Sequence, residues 1–153
     1  MRLVQSRKVL DVVADRDRNE KGRAQQARPR DALGRPLPYG AAGVEPISEE
    51  PLPPEETLAY ARSLLDEGRP FAAHEALEVR WKSCPDEERA LWQGLAQLCV
   101  GLTHHARGNA VGASRLVERA AGRLEAYGQT DGPTYGLDLA GLVACVRGQV
   151  HGT

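Results

Sequence analysis

From Pro54 onward the apolar residues recur at helical intervals. Leu58, Ala61, Leu64 and Leu65 follow Pro54-Glu55-Glu56 at spacings that fall on one helical face, and Gly68 closes the run. A proline in the first turn with acids beside it is a start signal, and a glycine just past the last turn is a stop signal. The spacing predicts a second helix from about Pro70 to Cys84, stopped by Pro85, and a third and longest one from about Asp86 to Arg107. Leu91, Leu95, Leu98, Cys99 and Leu102 make the third helix largely buried. Gly108 ends it, and Asn109 is placed to cap a fourth helix over about Ala110–Ala126, whose stripe is Ala113, Leu116, Val117, Ala120 and Leu124. After a loop from Gly128 to Gly136, Asp138 can cap a fifth helix over about Leu139–Arg147. No stretch alternates with period two, so no strand is expected.

A faint repeat runs through this pattern. Leu65-Asp66-Glu67-Gly68-Arg69-Pro70-Phe71-Ala72-Ala73 and His105-Ala106-Arg107-Gly108-Asn109-Ala110-Val111-Gly112-Ala113 are each a helix end, a glycine stop, a polar residue and a helix opening on small residues. That is the αα-hairpin device. The expected architecture is all-α, a compact array of about five helices built from αα-hairpins. Before it, residues 1–15 have the makings of a short amphipathic helix, residues 16–30 are polar and arginine-rich, and seven of the ten prolines fall between residues 29 and 54. Proline at that density excludes a regular helix or a central strand. The reading is an extended Pro/Arg-rich arm, residues 1–53, ahead of a helical domain, residues 54–153. The arm is either loosely ordered or laid on the body through Leu33, Leu37, Tyr39, Val44 and Ile47.

The chain of 153 residues is the size of one domain, and with aromatics at 5% its core must rest on Leu, Val and Ala. Net charge is −1, but residues 1–36 hold ten Lys/Arg against five Asp/Glu and the remainder is acidic. No global field therefore steers the protein to nucleic acid or membrane. Acids are interleaved with Arg16, Arg18, Arg23, Arg28, Arg30 and Arg35 and no aromatic stacks among them, so nucleic acid is not the expected partner. Cys84, Cys99 and Cys145 show neither CxxC nor zinc spacing. No apolar run reaches the roughly 18 residues of a membrane span, and charges interrupt the N-terminal apolar pairs, unlike a signal peptide. A cytoplasmic protein without membrane contact is expected.

The chemistry concentrates in the second helix, FAAHEALEVRW. His74 and Glu78 share a face, Phe71 and Trp81 flank them, and Glu75 lies at the edge. Aromatics seek burial, so the His and Glu between them should be partly desolvated and in need of partners. Gln93, Gln97 and His104 form one stripe of the third helix. The short connection around Pro85 would set the two helices antiparallel and bring the stripes together, with Trp92 nearby. Such a cluster can be a structural network that fixes helix register and satisfies the indole nitrogens. It can also be a ligand or metal site. HExxE resembles the HExxH of zinc peptidases in part, with Glu78 in place of the second His; His74, Glu78 and His104 could then hold a divalent ion, with Glu75 as base. His105 points away from His104 and reads as exposed. Gly94 and Gly101 read as a close-approach face.

Three ordered motifs suggest a family. Phe71-x-x-His74-Glu75-x-Leu77-Glu78-x-x-Trp81, then Leu91-Trp92-Gln93-Gly94-Leu95-Ala96-Gln97, then His104-x-x-Arg107-Gly108-Asn109-x-x-Gly112-Ala113 resemble the bacterial and archaeal domain-of-unknown-function family 309 over about residues 58–126. The Ala27–Pro38 segment resembles the extension of actinobacterial members, and residues 1–15 look like an addition before it. The resemblance implies a helical array with His74, Glu75, Glu78, Trp81, Gln93, Gly94, Gln97, His104, Gly108 and Asn109 as signature positions. It lends no activity. Ala96 departs from it, standing where a larger aliphatic is usual.

The first functional expectation is a non-catalytic binding or interaction module for a small molecule or protein, as monomer or homodimer. The second is a metal-dependent hydrolase with His74, Glu75 and Glu78 as catalytic candidates. Trp81, Gln93, Gln97, His104 and Asn109 are the ligand-contacting candidates. The third is RNA binding by the arm. No cofactor is expected; a divalent metal at His74, Glu78 and His104 is the one candidate.

Overall fold

The computed structural model describes residues 30–31, 33–36, 43 and 46–151. The segment 1–15, the arginines at positions 16, 18, 23 and 28, and Leu37, Tyr39 and Val44 lie outside the described residues. Among the described residues there are five α-helices and no strand: α1 Pro54–Asp66, α2 Pro70–Ser83, α3 Arg89–Ala106, α4 Ala110–Gly128 and α5 Leu139–His151. The expected third helix starts later than its apolar pattern suggests. Asp86–Glu88 winds as a 3-10 turn instead, and this tighter turn carries the Glu88 side chain inward.

The two halves of the sequence repeat close in the same way. Gly68 and Gly108 take φ values of +74° and +84°, a region where a Cβ would be strained. At the first turn Gly68 N donates to Leu65 O and Arg69 N to Leu64 O; at the second Gly108 N donates to His105 O and Asn109 N to His104 O. Both are Schellman closures, which satisfy the last carbonyls of one helix and reverse the chain into the next. Asn109 then accepts from Gly112 N at 3.0 Å, and Asp138 does the same for Gly141 N at 3.0 Å. Each cap satisfies one orphan amide and is worth about 1 kcal/mol.

Extensive helix pairings run α1–α2, α2–α3, α3–α4, α4–α5 and α3–α5, which makes α3 the centre of the array. Leu91, Trp92, Val117, Ala120, Ala121 and Leu124 are fully buried there, with Leu64, Leu77, Leu98 and Val143 around them. The two glycines of α3 permit the closest approach. A Cβ on Gly94 would lie 2.6 Å from Leu124 Cδ2, and one on Gly101 2.7 Å from Val117 Cγ2. Part of the arm is held on this body. Arg30 and Pro36 pair as an isolated bridge, Arg107 donates to Leu33 O at 2.6 and 3.1 Å, Arg30 lies 5.7 Å over the Phe71 ring, and Ile47 packs on the core.

Candidate functional site

The Phe71–Trp81 stripe of α2 is buried at its start and opens toward its end. His74 is 6% exposed, with its ring tilted 5.2 Å from the Phe71 ring. Its Nδ1 stands 3.2 Å from Phe71 O, and a carbonyl can only accept, so Nδ1 carries the proton. Nε2 then faces Glu78 Oε2 at 3.6 Å, and the contact becomes a full ion pair when the ring is doubly protonated. The other oxygen of Glu78 lies 3.6 Å from Lys82 Nζ on the solvent side. Glu75 is half-buried. Trp81 is half-buried under the Arg89 guanidinium at 5.3 Å, and its Nε1 is buried with no hydrogen-bond partner among the described residues.

The α3 stripe finds its bonds elsewhere. Gln97 Oε1 accepts from Arg123 Nε of α4 at 3.2 Å, and Gln93 is half-buried. His104 Nδ1 lies 2.9 Å from Asn109 Nδ2. Because Asn109 Oδ1 already accepts from Gly112, the amide group must donate to an unprotonated Nδ1. Burial, and then the Arg107 charge, push the His104 pKa below its ordinary value, in keeping with that acceptor role. The structure thus joins His74 to Glu78, and His104 to Asn109, as two local pairs, and turns Gln97 to α4. Among the described residues, no three His, Cys, Asp or Glu side chains gather as a group fit to hold a metal ion.

The densest buried polar contact is one the sequence reading passed over. Glu88 is 6% exposed, and its Oε1 accepts from Trp92 Nε1 at 3.1 Å and from Tyr135 Oη at 2.8 Å. Arg80 stands 3.9 Å from the same oxygen and 5.5 Å over the Trp92 ring. Burial first, then the hydrogen bond to Glu88 and its charge, push Tyr135 up to about 12. Burial and Glu88 also raise Cys84. A signal existed: Glu88 precedes Trp92 by four residues, and a buried indole needs an acceptor. Tyr135 had none, since it reaches Glu88 from a distant loop with φ at +53°.

That loop also walls an apolar groove of about 670 Å3 between α1, α3 and α5. Leu58, Ala59, Ala61 and Leu65 of α1, Leu77 of α2, Leu95, Leu98, Cys99 and Leu102 of α3, Leu142, Cys145 and Val146 of α5, and Tyr135 to Leu137 line it. Glu55 and Arg62 are its charged lining residues, and none of the candidates on α2 faces it. Its size falls within the range of small-molecule sites.

Fold and site define a small αα-hairpin array with dispersed polar pairs and an apolar groove. Residues 58–116 match the family described as "Domain of unknown function (DUF309)", the one the sequence motifs resemble. This segment contains every candidate from His74 to Asn109, while the α5 and Tyr135–Leu137 walls of the groove lie beyond it. Over 57 residues the chain is 44% identical to "Uncharacterized protein YpuF" of Bacillus subtilis (strain 168). The shared stretch covers 37% of this chain and 33% of that protein, so this chain matches about a third of that relative's length. No solved structure matches the chain.

Proposed function

We propose that this protein is a non-catalytic binding module whose ligand surface is the groove between α1, α3 and α5. The observation that carries the reading is the separation of the two features. The concave surface is apolar and carries none of the candidate catalytic side chains, whereas His74, Gln97 and His104 are bonded into the packing of the helices that bear them. In this reading the α2 motif sets helix position, and the residues around it hold the groove's floor in place. No helix among the described residues is long and apolar enough to cross a membrane.

The test is a fluorescence titration with anilinonaphthalene sulfonate, a probe that brightens in apolar sites. One saturable site is expected. It should be lost in Ala59→Trp, which places an indole in the groove from an exposed position of α1. His74→Ala should lower the melting temperature yet leave the probe's affinity within a factor of two. Elemental analysis of untagged protein should find no stoichiometric metal. A metal that disappears in folded His74→Ala would move the function to α2 and support the hydrolase reading.

A further inference from the structure

We propose that the groove takes a straight-chain aliphatic carboxylate, with its head at Arg62 and its chain along α3; this rests on the binding-module reading above. The interior of the groove restricts what can enter. Along α3 the lining is Leu95, Leu98, Cys99 and Leu102. The Tyr135 hydroxyl is committed to Glu88 at 2.8 Å. A polar group deep in the slot would lose its water without a replacement, which excludes polar ligands from the interior. The part that enters must therefore be hydrocarbon.

Shape and charge narrow the class further. The α1 wall runs from Glu55 to Leu65, about 15 Å at the helical rise, so the slot is long enough for a medium-length alkyl chain. Arg62 lies toward one end of that wall, exposed, and has no ion-pair partner among the described residues. Glu55 sits two turns earlier on the same wall. The opposite charges orient an anionic amphiphile in one direction, with its carboxylate beside Arg62 and away from Glu55. An esterified or alcohol-terminated chain lacks the anion that Arg62 selects.

Displacement of anilinonaphthalene sulfonate from the full-length chain by decanoate and by decanol tests this. Decanoate should displace the probe at one-to-one stoichiometry and bind more tightly than decanol. Arg62→Ala should weaken decanoate by about two- to fivefold, as an exposed ion pair allows, and leave decanol unchanged. Ala59→Trp should weaken both at least tenfold, and Leu142→Trp provides the same block from α5 should the first variant not fold. Equal affinity for decanol, or indifference of decanoate to Arg62→Ala, overturns the carboxylate assignment. Probe binding that is blocked by Ala59→Trp but displaced by neither ligand overturns the aliphatic class while the binding-module reading stands. Absence of groove-dependent probe binding removes both. Concentration-dependent dimerisation that Ala59→Trp abolishes assigns the groove to a second copy and overturns the proposal.

Discussion

At Glu88 a single carboxylate oxygen gathers an indole, a phenol and a guanidinium from three parts of the chain. Removing it leaves the buried Trp92 donor unsatisfied and Arg80 without its partner. Glu88→Ala should therefore cost about 3 kcal/mol or more in urea unfolding, and Tyr135→Phe about 1.5 kcal/mol. The phenol also makes an alkaline test. Its pKa rises from 10 unfolded to about 12 folded, so the folded state holds a proton that the unfolded state has released. The stabilisation is complete below pH 10 and is lost as pH climbs toward 12, with the raised Tyr127 adding to the slope. Tyr135→Phe should flatten that slope; an unchanged slope would mean that the Tyr135–Glu88 bond is not formed in solution.

Between elements, glycines decide how near the helices come. Gly101 meets Val117, a stiff side chain with no exposure, so Gly101→Ala should destabilise by about 1–3 kcal/mol despite the better helix propensity of alanine. Gly122 lies on the exposed side of α4 with nothing within 4 Å of an added Cβ. Gly122→Ala should stabilise by up to about 1 kcal/mol on propensity alone. Thermal unfolding of the two variants should therefore show shifts of opposite sign, and shifts of the same sign would place α3 and α4 at a different separation. These elements were the legible part of the sequence. The glycine stops at Gly68 and Gly108, the caps at Asn109 and Asp138, and the stripe of α4 are local signals, and each appears in the structure where it was read. Helix ends were less legible, because Asp86–Glu88 tightens into a 3-10 turn that its acidic residues do not announce.

At the scale of the molecule, what the sequence hid was long-range. Periodicity placed His74 with Glu78 and Gln97 with His104 on their own helices, and the short connection around Pro85 pointed the two stripes at each other. The Gln97–Arg123 and His104–Asn109 bonds show that this stripe of α3 serves the α4 side. Tyr135 reaches Glu88 across 47 residues, and Arg107 reaches Leu33 across 74; no spacing rule encodes either contact. The groove was equally illegible, since its walls are ordinary leucines whose partial exposure depends on how α1 and α5 are set around α3. We propose that the protein meets its ligand at this groove and not at the His74–Trp81 stripe of α2. Two-dimensional NMR of isotope-labelled protein titrated with anilinonaphthalene sulfonate tests it most directly. Saturable shifts confined to the amides of Leu58, Leu98, Leu142 and their neighbours are the expected result. Shifts centred on His74, Glu78 and Trp81 instead would contradict it.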